Sequence, residues 1–300
     1  MPTDLITVIP LMQSNKDYLL GVNEAELERL RFQHWVWKKV TDNLFDRVGV
    51  KQGWKCLDVG SGPGFTSMDL RERAGPTGEV TALEPSEFYL NWFQQEASAR
   101  GWTNVKFIEG KAEEADLSFC SYDFIFSRWV IAFVPDPEKF LKHLIAALRP
   151  GGIIALQDYW YEGLSLFPRG TSFDRLPEII RAYYRAGGGD LFVTGRIPSI
   201  MRKHGVRVTD FTPNQLAGGP QSDVWEWMNR FLASHLPPIG EKGIMTKEGA
   251  DAILADWIAQ RNNPDAIYFS PIVVDIAGVF DPQPKNEPSP KMGEAVSGRV

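Results

Sequence analysis

Cysteine is scarce: Cys56 and Cys120 are the two in 300 residues. Two thiols build neither a disulfide framework nor a four-thiolate zinc site, and a reducing compartment fits them. Histidine is nearly as rare, with four. No His, Cys or carboxylate cluster has metal-ligand spacing, so no metal is expected. Basic charge is in deficit: 32 Lys and Arg stand against 38 Asp and Glu, a formal net charge of −6. An acidic surface repels phosphate backbones, which argues against nucleic acid as substrate. No apolar run approaches the length of a membrane span. Residues 1–12 show no basic leader and no cleavage pattern, so no signal peptide is expected. A cytoplasmic protein without a membrane partner is the expectation. The rest is ordinary for a globular chain, with 43% hydrophobic and 23% charged residues.

The chain is organised around residues 55–66, Lys-Cys-Leu-Asp-Val-Gly-Ser-Gly-Pro-Gly-Phe-Thr. A strand predicted over 56–59 runs into Gly60, Ser61, Gly62 and Gly64, and a helix begins near Phe65. Glycines at alternate positions permit positive φ and leave the backbone bare for a ligand. The following helix start offers free N–H groups and a positive dipole end. Asp58 sits two residues before the first glycine. Glu84 ends the next predicted strand, residues 79–83, about 20 residues on, the spacing at which a carboxylate reaches ribose hydroxyls. The dinucleotide fingerprint G-x-G-x-x-G fits less well, because the third glycine falls one residue early.

Alternation follows. Strands are predicted over 56–59, 79–84, 105–109, 123–127 and 153–157, and helices over 65–74, 86–100 and 137–148. The order argues a parallel, doubly wound sheet with ligands at the strands' carboxyl ends. A long helix over 24–48 precedes it, capped by Asn23, with Leu27, Leu30, His34, Trp37, Thr41 and Leu44 on one face. Beyond Tyr161, helices are expected over 172–186, 197–204, 223–235 and 246–261. Pro237-Pro238-Ile239-Gly240 is read as the joint between the last two. A sixth strand is expected over 206–211 and the last within 266–279. The tail, 281–300, has the composition of a disordered segment.

Asp58-x-Gly60-x-Gly62-x-Gly64 with Glu84 resembles the class I S-adenosylmethionine-dependent methyltransferases. Gly110-Lys111-Ala112-Glu113-Glu114, Asp123 to Arg128 with Val134-Pro135-Asp136-Pro137, and Leu148-Arg149-Pro150-Gly151-Gly152 extend the resemblance to the ubiquinone-biosynthesis type. The resemblance implies a Rossmann-like, mostly parallel seven-stranded sheet. It implies an N-terminal cover (1–50), a methyltransferase domain (51–280) and a helical lid insertion (221–263). It implies S-adenosylmethionine as cofactor, with Gly60, Ser61, Gly62, Gly64 and Asp58 at its methionine and sugar portion. Glu84 and Pro85 would meet the ribose, and Ala112 and Glu113 the adenine. Lys111 stands where many members carry an acid, which leaves Glu113 or backbone groups for the adenine amino group. Arg128 ends the fourth strand beside the transfer point. Tyr18, Arg29 and Gln33 match a leader in which the arginine approaches the methionine carboxylate. Solvated helix charge is the alternative for Arg29 and Gln33, helix capping for Asp58, and a surface position for Arg128.

Methyl transfer from a sulfonium needs alignment and dryness, and a base only for an acceptor that carries a proton. Asp158, Tyr159, His34 and His235 are the candidate bases; His143 and His204 fall on outer helices. Trp129, Tyr159, Trp160, Tyr161, Trp225 and Trp227 are available to line a pocket for a small acceptor, aromatic or amine, or simply to pack the core. Two other readings stand beside this one: an NAD(P)-dependent oxidoreductase, and a non-methylating protein that retains the cofactor pocket.

Overall fold

The structure, a computed structural model, describes residues 23–117 and 121–281. Tyr18, Cys120 and tail residues 282–300 lie outside them.

Among the described residues the first element is α1 (Glu24–Val48). Asn23 Oδ1 caps it by accepting the Glu26 N–H at 2.9 Å, and Gly49 closes it. Then come β1 (Lys55–Val59), α2 (Phe65–Ala74), β2 (Glu79–Glu84), α3 (Glu87–Ala99), β3 (Val105–Glu109), β4 (Tyr122–Arg128), α4 (Pro137–Ala146) and β5 (Leu148–Trp160). The second half holds β6 (Ser165–Phe167), α5 (Leu176–Ala186), α6 (Ile197–Lys203), β7 (Val206–Asn214), β8 (Ala217–Gly218), α7 (Asp223–Glu241), α8 (Lys247–Gln260), β9 (Ile267–Phe269) and β10 (Ile272–Phe280).

The main sheet has seven strands in the order β3-β2-β1-β4-β5-β10-β7. β1 through β5 pair in parallel, and β10 runs antiparallel to both neighbours. Strand side chains alternate between faces. Cys56, Val80, Phe124, Phe126, Ala155 and Ala277 pack with Leu44 and Phe45 of α1 and Leu70 of α2. Leu57, Val59, Ile125, Ile154, Leu156 and Ile276 face Phe140 and Leu144 of α4 and Met201 of α6. Both faces are therefore buried, which is why β1, β4 and β5 read as nearly continuous apolar runs. Each large apolar side chain withdrawn from water contributes about 1.5–3 kcal/mol.

Three expectations need correction. The fifth strand, predicted over 153–157, starts earlier, at Leu148, and takes in residues 149–152. They lie inside β5, where the register with β4 jumps from Tyr122–Leu148 to Phe124–Ile153. β5 also runs on to Trp160 because β10 pairs along that stretch, which places Asp158 within the strand. Pro237 and Pro238 do not end α7; they lie inside it. The carbonyls that lose their helical donors belong to Ala233 and Ser234, both exposed, so water can satisfy them. The last predicted strand is two: β9 joins β6 and β8 in a separate three-stranded antiparallel sheet, and β10 returns to the main one.

Candidate active site

Strand order reverses between β1 and β4, and the crevice at such a switch point is where open α/β sheets bind ligands. A cavity of about 1070 Å³ opens there. Glu84 and Pro85 line it at the end of β2, Gly60 to Gly62 after β1, Ala112 and Glu113 after β3, and Arg128 and Trp129 at the end of β4. Arg29 and Gln33 of α1, and Phe231 and His235 of α7, complete the walls. Ligand pockets span about 300–1,000 Å³, so this cavity has room for two small molecules side by side.

The three glycines of the loop do different work. A Cβ on Gly60 would sit 2.3 Å from Val130 Cγ2, so this glycine lets the β4 loop approach β1. A Cβ on Gly64 would meet the Phe93 ring at 2.2 Å. Gly64 therefore serves the packing of α2 on α3 and is not among the cavity walls, contrary to the expectation of ligand contact. Gly62 has φ +54° and nothing within 4 Å of a Cβ position. It is among the cavity walls, and a Cβ there would meet no protein atom.

Glu84 is 3% exposed and already oriented. Gly62 N–H donates to Oε2 at 2.9 Å and Ser86 N–H to Oε1 at 3.0 Å. Burial outweighs these donors and pushes the carboxyl up to about 7. Each oxygen keeps a further lone pair for a ligand. Asp58, also buried, accepts the Ser67 hydroxyl on Oδ2 at 2.6 Å. It ties α2 to β1 while lining the cavity, and it does not cap α2, whose N-cap Gly64 has no side-chain partner. Burial raises its pKa to about 6.

Arg29 is no solvated charge: it is 5% exposed. Its Nε and Nη2 donate to both Glu26 oxygens at 2.7 Å, and Nη1 donates to Gln33 Oε1 at 3.0 Å. Gln33 Oε1 also accepts Trp227 Nε1–H at 3.1 Å, joining α1 to α7. Arg128 donates to Thr41 Oγ1 at 2.9 Å and to His34 Nδ1 at 3.2 Å, and its guanidinium lies 4.7 Å from the Trp129 ring centre. Burial lowers its pKa to about 10, which leaves it a cation at neutral pH. A guanidinium only donates, so His34 Nδ1 accepts and its proton sits on Nε2, 3.3 Å from Asp69 Oδ2. Burial, Arg128 and Lys38 lower the His34 pKa to about 2.

The candidate bases separate. His34 is not a cavity wall. Asp158 is consumed by the backbone: it accepts the N–H groups of Tyr159 at 2.8 Å and Ala132 at 3.3 Å and braces the turn after β4. His143 bonds the Ala115 carbonyl and His204 bonds Glu138, both away from the cavity. Tyr159 and His235 remain at the walls.

Of the candidate aromatics, Trp129 and Tyr159 reach the cavity, and Trp160, Tyr161, Trp225 and Trp227 do not. Trp225 stacks on Trp257 at 4.1 Å, and Trp227 meets Trp37 edge-on at 5.5 Å. Phe133, Tyr184 and Phe231 line the cavity instead. They lie on separate elements, each reading as one more apolar residue, so the sequence carried no signal for them. Trp129 has φ 55°, a left-handed conformation uncommon for a large side chain and frequent at functional sites.

Among the described residues no group of three or more His, Cys, Asp and Glu could hold a metal, and no helix is long and apolar enough to cross a membrane.

Residues 50–190 match the family described as methyltransferase domain. Demethylmenaquinone methyltransferase of Staphylococcus aureus is 34% identical over 122 residues, 41% of this chain and 48% of that protein. The chain thus spans about half the length of the curated relatives it matches. Among solved structures, phosphoethanolamine N-methyltransferase 2 of Haemonchus contortus superimposes with TM-score 0.53 at 18% identity, over 84% of this chain and 56% of that one. The [4+2]-cyclase SpnF superimposes with TM-score 0.54 at 16% identity, over 81% and 80%. These structural likenesses establish the fold. The sequence match, which runs from β1 to α5, places a methyltransferase domain in residues 50–190.

Proposed function

We propose that this protein transfers the methyl group of S-adenosylmethionine to a small organic acceptor. The observation that carries the reading is the Glu84 carboxylate, held by Gly62 and Ser86 at the end of β2 beside the bare left-handed face of Gly62. A vicinal diol needs such a two-oxygen acceptor, and only a glycine lets a ligand lie that close to the loop.

The residues fit the cofactor's parts in the order of the strands. Ala112 and Glu113, after β3, border the adenine; Glu84 and Pro85 take the ribose. Gly60, Ser61 and Asp58 meet the amino-acid portion. Arg128, bonded to neutral Thr41 and His34, keeps its charge for an anionic group such as the carboxylate. Arg29 is committed to Glu26 and acts by fixing Gln33. Bound S-adenosylmethionine supplies an electrophilic methyl on a good leaving group. The protein then has to align the acceptor and exclude water. We read α1 as a cover and the insertion carrying α7 and α8 as a lid, because the Gln33–Trp227 bond and the Trp37–Trp227 contact join them.

Similarity to a demethylmenaquinone methyltransferase supports a small acceptor. Calorimetric titration with S-adenosylhomocysteine and with NADH tests the cofactor; binding of NADH alone would replace this reading with an oxidoreductase. A screen of small acceptors with labelled methyl donor tests the reaction. Product binding without any transfer favours a protein that keeps the pocket for other chemistry.

A further inference from the structure

We infer that His235 Nε2 receives the proton-bearing group of the methyl acceptor, so that the acceptor is an uncharged hydroxyl or N–H nucleophile on an apolar body; this rests on the methyltransferase reading above. His235 lies on α7, outside residues 50–190 that match the methyltransferase domain. It lines the cavity and is 2% exposed.

Its tautomer follows from its neighbours. Nδ1 lies 3.0 Å from the Phe231 carbonyl and 2.7 Å from Ser234 Oγ. A carbonyl only accepts, so Nδ1 carries the proton. The Ser234 hydroxyl points its own proton at the Arg230 and Phe231 carbonyls, at 3.0 and 3.2 Å. Nε2 is therefore left with a lone pair. It is buried and has no hydrogen-bond partner among the described residues. Buried polar atoms are almost always paired, so an unpartnered nitrogen on a residue of the cavity wall calls for a partner.

The surroundings suit an apolar body with one polar group. The imidazole stacks on Phe231 at 4.0 Å, and Trp129 and Tyr159 stack at 6.1 Å. Trp129 Nε1 is a second buried, unpartnered atom, a donor. Burial and the Arg29 charge lower the His235 pKa to about 3, so Nε2 stays an acceptor at neutral pH.

The step balances. The acceptor's lone pair forms the bond to the methyl carbon, and the S–C pair stays on sulfur. The acceptor's proton moves to Nε2. One positive charge leaves sulfur as one arrives on imidazole, so the net charge of the site is unchanged. The low pKa then releases the proton when water enters.

The test compares para-cresol with its methyl ether, and para-toluidine with its N,N-dimethyl derivative, on protein saturated with S-adenosylhomocysteine. Calorimetry should show the proton-bearing member of at least one pair binding about tenfold tighter. The favoured pair tells hydroxyl from N–H acceptors. His235→Leu should erase the preference and leave S-adenosylhomocysteine affinity unchanged. Equal affinities within both pairs, or a preference that survives His235→Leu, overturns the inference. Should that variant not fold, ¹⁵N-histidine NMR of the wild-type protein decides. An unprotonated Nε2 whose resonance moves with the favoured probe and not with its methylated partner supports the assignment; a protonated Nε2 overturns it. Failure of S-adenosylhomocysteine to bind would instead remove the methyltransferase reading, and the probes would then be compared on the protein alone.

Discussion

Glu84 carries a proton problem as well as a binding role. Its pKa near 7 in the free protein lies above the usual 4.5, chiefly through burial. A diol binds the ionised form. Below pH 7 the resident proton must leave first, so affinity for S-adenosylhomocysteine should fall as pH drops through 7 and level off above it. Asp58, near 6, adds to the fall at lower pH. Glu84→Gln should cost about 1.5–3 kcal/mol of binding free energy and flatten the upper part of that profile. Unchanged affinity in calorimetry would remove the ribose assignment. Gly62→Val tests the opposite face. The new Cβ meets no protein atom, so the fold should tolerate it apart from the strain of φ +54° on a branched side chain. The branches would project into the cavity, and S-adenosylhomocysteine binding should be lost in a protein that still shows a native circular dichroism spectrum.

At the scale of the element, α7 decides most. It begins at the Ser222 cap and runs through both prolines because Leu236 before them and Ile239 after them are buried. Trp225 anchors it on Trp257, and Trp227 latches it to α1 through Gln33. Trp227→Phe keeps an aromatic ring, smaller than the indole, and deletes the bond. It should destabilise the protein by about 1 kcal/mol, and hydrogen exchange should accelerate along α7. Cofactor affinity should stay within about twofold while methyl transfer falls, since the latch lies on the acceptor side. Equal exchange rates in the two proteins would mean that the bond does not hold the insertion down.

Across the whole molecule one buried polar chain links the cavity to the far edge of the sheet. Arg128 donates to Thr41, Thr41 to Gln157 at 2.7 Å, and Gln157 to Asp275 at 2.6 Å. Arg47 closes it by bonding both Asp275 and Asp210 of β7. α1, β4, β5, β10 and β7 are thereby fixed to one another with their polar groups satisfied. Gln157→Leu would fill similar space and leave Thr41 and Asp275 each short of a partner. Urea melts should show a loss of about 1–3 kcal/mol, with the slope unchanged if unfolding stays two-state. A neutral result would mean that water replaces the amide.

While the count of seven strands came with the family resemblance, the sequence by itself determined the alternation of the first five strands with helices, the glycine loop and the positions of the acids Asp58 and Glu84. Those features rest on local physics: alternation of apolar runs with helices, positive φ, and fixed spacing along a few consecutive elements. It also placed Arg29 and Gln33 on one helix face but could not tell buried from solvated, because burial depends on what α7 brings against them. Tertiary structure alone set Gly64 to packing, Asp158 to bracing a turn, and Trp225 and Trp227 to the interior. It alone assembled this wall of the cavity, since Phe133, Tyr184 and the α7 pair Phe231 and His235 come from three separate parts of the chain. What made His235 distinct was its place at the cavity wall with Nε2 unpartnered, which depends on how α7 packs and not on its neighbours along the sequence; the Phe231 carbonyl on Nδ1 follows from helical spacing alone.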